Sequence, residues 1–259
     1  MTAVLRMFVL LCGYEIMPRT VCTRGSGEQF VMSLPVCAYL IETRDGLVLF
    51  DAGINAELLR DPALREEYYT SRGRDPAPVV LPCHDFLEQF KRIGAEPRDV
   101  RHVALSHTHI DHAGNLRFFK HAEVWIQEAE YELAFSRPTP RHLVRQDFDL
   151  PGLRWRRLGG DHTLMPGIEL IFTPGHTVGH QSALIELPRS GPAILVGDVG
   201  DLMENFDHEI LPGQTFDDDA ALASIRRINE IRHARNALMF LCHDPNLIQR
   251  QKLAPDFYN

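Results

Sequence analysis

The chain has 259 residues, 44% hydrophobic and 24% charged, with a formal net charge of -8. That length allows a sizeable buried core in one large domain or two small ones. The charge argues against nucleic acid or an anionic membrane as the main partner, because phosphate binding needs a basic surface; a polyanionic substrate is disfavoured, although one local basic pocket is compatible with the total.

In chain order, short β-type runs fall at residues 4–11, 36–41 and 47–50, bounded by Gly, Pro or Asp. Residues 60–82 are rich in charge, Tyr and Pro and read as a long surface excursion inside a domain, either a functional lid or a solvated insertion. Phe86, Phe90 and Ile93, stopping at Gly94, have the spacing of an amphipathic helix. Strands follow at 103–105, 124–126, 168–172, 183–186 and 193–196. A helix is expected over 216–235, with Leu222, Ile225, Ile228 and Ile231 on one side, Thr215 as its cap, and Asp217, Asp218 and Asp219 at its positive end. A last strand lies at 238–241. This mixture predicts an α/β layered architecture with sheets buried between helices, and residues 1–259 as one domain. Cys12, Cys22, Cys37, Cys83 and Cys242 are scattered and form no CxxC pair, which points to reduced thiols in a cytoplasmic protein. The apolar stretch at 7–12 is too short for a signal-peptide core, and no run approaches the roughly 20 apolar residues that cross a bilayer.

Chemistry concentrates in "LSHTHIDHAGN", residues 105–115. In extended chain, side chains two residues apart point the same way, so His107 and His109 can grip one ion together. Asp111 and His112 follow a turn, expected to open a helix, and point elsewhere, which makes two binding positions more natural than one. His176 after "GIELIFTPG", Asp198 after "PAILVG" and His243 after "ALMFLC" each sit just past an apolar strand, where separate parts of the chain can converge on one cleft. These N and O donors suit Zn, Mn or Fe. A carboxylate such as Asp198 can bridge two ions, and two divalent ions about 3.5 to 4 Å apart can hold a hydroxide between them. Taken singly, His176, Asp198 and His243 would be hydrogen-bonded structural residues; the upstream cluster promotes them, because burying such groups without a metal is costly. His180 is a candidate to orient a ligand. His84, His102, His121, His142, His162, His208 and His233 read as surface or capping residues, and Cys242, next to His243, as packing on the opposite face of its strand.

The series "SHTHIDHAG", "TPGHTVGH", "GD" at 197–198 and "CHD" at 242–244 resembles the metallo-β-lactamase superfamily, and "LIETRDGLVLFDAG" at 40–53 resembles its opening strands. The resemblance implies an αββα sandwich with metals at one edge. True β-lactamases of the best-known classes lack the bridging Asp, di-iron flavoproteins carry an acidic residue where Thr108 stands, and nucleases of the superfamily favour a basic surface. "LPVCAYLIET" from residue 34, "ENF" at 204–206 and "ALASIRRINEI" before the last His make the chain most similar to the N-acyl homoserine lactonases.

That likeness implies His107, His109 and His176 on one metal, Asp111, His112 and His243 on the other, and Asp198 between them. It implies two divalent metal ions, zinc by preference, and a bridging hydroxide that opens a lactone ring, with Asp111 as proton shuttle. Lactonases of this type usually place a Tyr three residues after the bridging Asp; here that position is Asp201, kept as a candidate catalytic residue. Ile110 is expected at the cleft mouth, and the 60–82 excursion is expected to shape an acyl pocket. The implied partner is a small lactone, with no nucleic acid and no membrane; the oligomeric state stays open, a homodimer being the one assembly considered. The alternatives are hydrolysis of another lactone, of a thioester or of a phosphotriester, and a metal-binding regulatory protein without turnover.

Overall fold

In the computed structural model, which describes residues 2–259, the first apolar runs form β1 (Val4–Pro18), β2 (Val31–Thr43) and β3 (Gly46–Phe50). Side chains along β1 alternate between two cores: Phe8, Leu10 and Cys12 enter one, Met7, Val9 and Leu11 the other. A strand buried on both faces reads in this way as a continuous apolar run rather than an alternating one. The helices α1 (Ala56–Arg60), α2 (Pro62–Tyr68) and α3 (Phe86–Ile93) lead to β4 (Val100–Ala104) and β5 (Glu123–Gln127). Then come α4 (Glu128–Ala134), α5 (Arg145–Phe148) and β6 (Arg154–Leu158), which completes a six-stranded sheet in the order β1-β2-β3-β4-β5-β6. The second sheet holds β7 (His162–Met165), β8 (Ile168–Phe172), β9 (Gln181–Leu187), β10 (Gly191–Leu195) and β11 (Leu238–Phe240), ordered β11-β10-β9-β8-β7. Between β10 and β11 lie α6 (Met203–Asp207) and α7 (Asp218–Arg235).

Three cores define the layers. Val9, Tyr39, Ile168 and Leu195 are among the residues on which the two sheets meet. Phe86 and Phe90 of α3 and Leu58 of α1 join Leu10 and Leu40 on the outer face of the first sheet. Ile225 and Ile228 of α7 cover Leu184 and Ile194 on the outer face of the second. The result is the α/β sandwich of two sheets between helical layers that the sequence led us to expect.

Several local expectations change. The 60–82 excursion opens with a helix: the Asp61 side chain accepts from the backbone N–H groups of Ala63 and Leu64, and Pro62 occupies the first helical position. The cap of α7 is Asp217, which accepts from Ala220 N at 3.0 Å, not Thr215, whose hydroxyl bonds the Asp218 carboxylate. Phe216 accordingly stays outside the helix and exposed, and Ala221 rather than Leu222 joins Ile225 and Ile228 on the buried side. β6 was not expected because Arg154, Arg156 and Arg157 hide its alternation; charge of this kind protects a sheet edge. All five cysteines are unpaired. Among the described residues, no helix is long and apolar enough to cross a membrane.

Candidate metal centre

β8, β10 and β11 run in the same direction, because β9 is antiparallel to both β8 and β10, and β11 is parallel to β10. Their C-terminal ends therefore share one edge of the sandwich, which brings His176, Asp198 and His243 together. Before Asp198 the chain bends at Gly197, with φ +63°, where a Cβ would lie 2.5 Å from His180 Nε2; only glycine fits there. From the other sheet, β4 delivers residues 105–115 to the same edge. These residues form turns instead of the expected helix start: His112 N and Ala113 N both donate to His109 O, at 3.1 and 3.2 Å. This turn drives Ile110 into the core, 2% exposed, so it does not face the cleft mouth as expected.

Two half-sites result, and Asp198 joins them. Its Oδ2 lies 3.5 Å from His107 Nε2 and 3.3 Å from His176 Nε2. Its Oδ1 lies 3.3 Å from both His112 Nε2 and His243 Nε2. On the first side His109 Nδ1 is 3.0 Å from His176 Nε2, and His107, His109, His176 and Asp198 gather donor atoms within 4.8 Å of one another. On the second side Asp111 Oδ2 is 3.2 Å from His112 Nε2 and 3.3 Å from His243 Nε2.

The final donor of the second half-site has two contenders. Cys242 Sγ also lies within the cluster of His112, Asp198 and His243, 3.3 Å from Asp198 Oδ1, so its side chain does not simply point to the opposite face. Its Sγ also donates to Gly197 O, and Asp111, not Cys242, lines the open cavity.

These residues fit divalent metal ions. His107 Nε2 and His112 Nε2 are buried and make no hydrogen bond to any described residue, although carboxylate oxygens and other imidazoles surround them. Unpartnered buried nitrogens are costly unless a cation takes their lone pairs. Burial, reinforced by neighbouring imidazoles, holds the pKa of His107 and His109 well below the ordinary value, so both are neutral donors. Burial alone would raise the Asp198 carboxyl, but His112, His243, His107 and His176 outweigh it and hold it well below the usual range. In His112 burial is outweighed by Asp111, Asp198 and Asp51, which raise its pKa; a proton there occupies the place a metal ion would take.

Buried groups behind the cluster fix the donors in place. Asp51, with φ +60°, accepts from Ser106 N at 2.7 Å and faces His112 Nδ1 at 2.9 Å. His243 Nδ1 donates to Pro35 O at 2.8 Å. His180 Nε2 accepts from Asp198 N at 2.9 Å, so His180 orients the segment that carries Asp198, the role for which it was a candidate. Fully buried Glu130 receives Thr108 N and Thr108 Oγ1 on one oxygen, and Thr177 Oγ1 and Gly179 N on the other. It ties the loop of His107 and His109 to the loop of His176. Sequence reasoning missed Asp51 and Glu130; Asp51 alone carried a signal, an Asp just past a strand end like Asp198.

A cavity of about 280 Å³ opens on the cluster, lined by His109, Asp111, His176, Asp198, Asp201 and His243 among others. Burial pushes the Asp201 carboxyl up to about 7, although His243 acts in the opposite direction. Glu15 and Arg74 form a second wall, paired at 2.7 Å. His142, read from sequence as a surface residue, is exposed but lines this cavity, its ring centroid 4.6 Å from that of His109.

Comparison with known proteins gives a consistent result. Residues 33–243 match the family model of the metallo-beta-lactamase superfamily. An N-acyl homoserine lactonase of Bacillus sp is 34% identical over 227 residues, 88% of each chain. A second such lactonase, from Rhizobium radiobacter, is 32% identical over 251 residues, 91% of this chain and 90% of the relative. Among solved structures, an N-acyl homoserine lactone hydrolase with N-hexanoyl-L-homoserine bound at its catalytic metal centre superposes with a TM-score of 0.87 at 30% identity. The superposition covers 99% of this chain and 100% of that one.

Proposed function

The chain belongs to the metallo-β-lactamase superfamily, in its N-acyl homoserine lactonase branch, and from that premise we propose a dinuclear centre in which Asp198 bridges. His107, His109 and His176 would hold one ion, and Asp111, His112 and His243 the other. The enzyme is a metal-dependent hydrolase that opens the ring of N-acyl homoserine lactones. One observation carries the arrangement: each oxygen of Asp198 faces a different pair of histidine nitrogens. Imidazole nitrogen and carboxylate oxygen are donors that zinc takes, which is why zinc is the ion proposed.

When bound, two divalent ions supply Lewis-acid polarisation of the ester carbonyl and lower the pKa of water toward about 7. The chain's residues do the rest. Asp198 sets the separation of the half-sites, and His107, His109 and His176, kept neutral by burial, offer nitrogen without competing protons. Asp111 turns Oδ2 to His112 and His243, which leaves Oδ1 outside any hydrogen bond to a described residue. Burial opposes ionisation of Asp111, but His112 and His243 outweigh it and keep the carboxyl ionised, so Asp111 can take a proton from the attacking water and pass it to the departing oxygen as the ring C–O bond breaks. At the position where the branch usually has a Tyr, Asp201 offers a shorter carboxyl group that also lines the cavity. With burial pushing its carboxyl up to about 7, Asp201 can hold a proton or lose it near neutral pH and so can bond or position water in the cavity. The five free thiols, four of them buried, fit a reducing cytoplasmic setting.

The substrate class is tested with metal-loaded protein and three esters: an N-acyl homoserine lactone, a glutathione thioester and an aryl phosphotriester. The lactone should be opened with a kcat/KM at least about a hundredfold above the other two. Faster thioester or phosphotriester cleavage would overturn the assignment.

A further inference from the structure

We propose that this enzyme selects lactones whose acyl substituent ends in a carboxylate, recognised by Arg72 and Arg141. The inference rests on the lactonase reading above and adds the class of acyl group. It starts from the placement of charge: three arginines, Arg72, Arg74 and Arg141, line the cavity over the candidate metal centre, beside the carboxylates Glu15, Asp111, Asp198 and Asp201. Arg74 is neutralised by Glu15 at 2.7 Å, with both side chains largely buried. Arg72 and Arg141 have no carboxylate partner among the described residues.

Both guanidinium groups are held by neutral backbone carbonyls. Arg72 Nε donates to Glu67 O at 3.1 Å and Nη1 to Leu143 O at 2.9 Å, and its guanidinium lies 5.0 Å from the centre of the Tyr68 ring. Arg141 Nη2 donates to Ser71 O at 2.9 Å. The two segments are thus clasped, and their side chains are fixed while the positive charges stay uncompensated. A guanidinium has five N–H donors in a planar fork; Arg72 Nη2 and the Nε and Nη1 of Arg141 make no hydrogen bond to a described residue. That arrangement matches a carboxylate, which guanidinium binds through two parallel hydrogen bonds.

Position links the pair to the reaction. Arg141 directly precedes His142, whose ring packs against His109. The same cavity offers apolar surface from Met17, Val21, Leu34 and Pro212. Arg72 and Arg141 also line a second cavity, with Glu67, Tyr68, Arg145 and Asp149 among others, so an acyl chain that extends from the reactive cavity toward this one passes the two guanidinium groups. A methyl end there gains nothing from them, whereas a carboxylate end gains two charge pairs.

The test uses the metal-loaded full chain and two N-acyl homoserine lactones of equal chain length, one ending in methyl and one in carboxylate. An exposed charge pair is worth a few-fold in binding, so two together should favour the carboxylate substrate by about tenfold in kcat/KM at low salt. This preference should shrink as ionic strength rises. Arg141→Glu should reverse the preference, and Arg72→Gln should reduce it. Both substrates are measured on one preparation, so any loss of folded protein cancels from the ratio. A wild-type ratio at or below one, or a ratio unchanged in Arg141→Glu, overturns the inference while leaving the lactonase reading intact. If the loaded protein opens neither lactone, that reading fails and this inference fails with it.

Discussion

Asp198→Ala lowers lactone opening by at least about a thousandfold and leaves less than one equivalent of metal per chain. The size of the loss follows from geometry. Asp198 contributes an oxygen to each half-site, within 3.5 Å of histidine nitrogens on both sides, so its removal weakens two positions at once. Losing a single preorganised stabilising group already costs about a hundredfold to a thousandfold in turnover, and here the source of activated water goes with it. The variant should still fold, because the sandwich cores do not include Asp198. Metal analysis and turnover on the same sample check this; an Asp198→Ala protein with two equivalents of metal and near-normal turnover would show that the carboxylate does not bridge.

Glu130→Ala has the second largest effect, and it acts through position alone. The residue is fully buried, and its two oxygens receive four donors from the loops that carry His107, His109 and His176. Truncation strands the backbone N–H groups of Thr108 and Gly179, and each buried unsatisfied donor costs about 1 to 3 kcal/mol. A loss of about 3 to 5 kcal/mol is expected, which for a chain of this size lowers Tm by roughly 10 °C. Among the molecules that remain folded, metal affinity should fall about 10- to 100-fold, as when a supporting partner of a ligand is removed. Glu130→Gln keeps one acceptor and should recover part of both losses. Calorimetry together with metal titration separates these effects; unchanged affinity in folded Glu130→Ala would reduce the residue to a packing element.

The contrast between Asp198 and Glu130 shows what could be read before the structure. Asp198 follows an apolar strand and a glycine, so its place at a sheet edge is written in its immediate neighbours. Glu130 lies in "EAEYELA", a stretch whose charges look like a solvated helix face, and nothing nearby shows that Thr108 and Thr177 will close over it. Asp51 is intermediate: it follows a strand end, but its partners Ser106 and His112 are more than fifty positions away. Strands buried on both faces were legible as apolar runs, and the arginine-rich edge strand β6 was not. The clustered donors at 107–112 were found because their spacing is local. The approach of Arg72 to Arg141 was missed because the two meet only through the fold.

The central claim is that catalysis needs both half-sites filled. The direct measurement strips the protein with a chelator, then adds zinc in steps while following ring opening of an N-acyl homoserine lactone. Activity should be absent at the start and reach its plateau at two equivalents per chain. Full ring opening by protein holding less than a tenth of an equivalent would contradict the account.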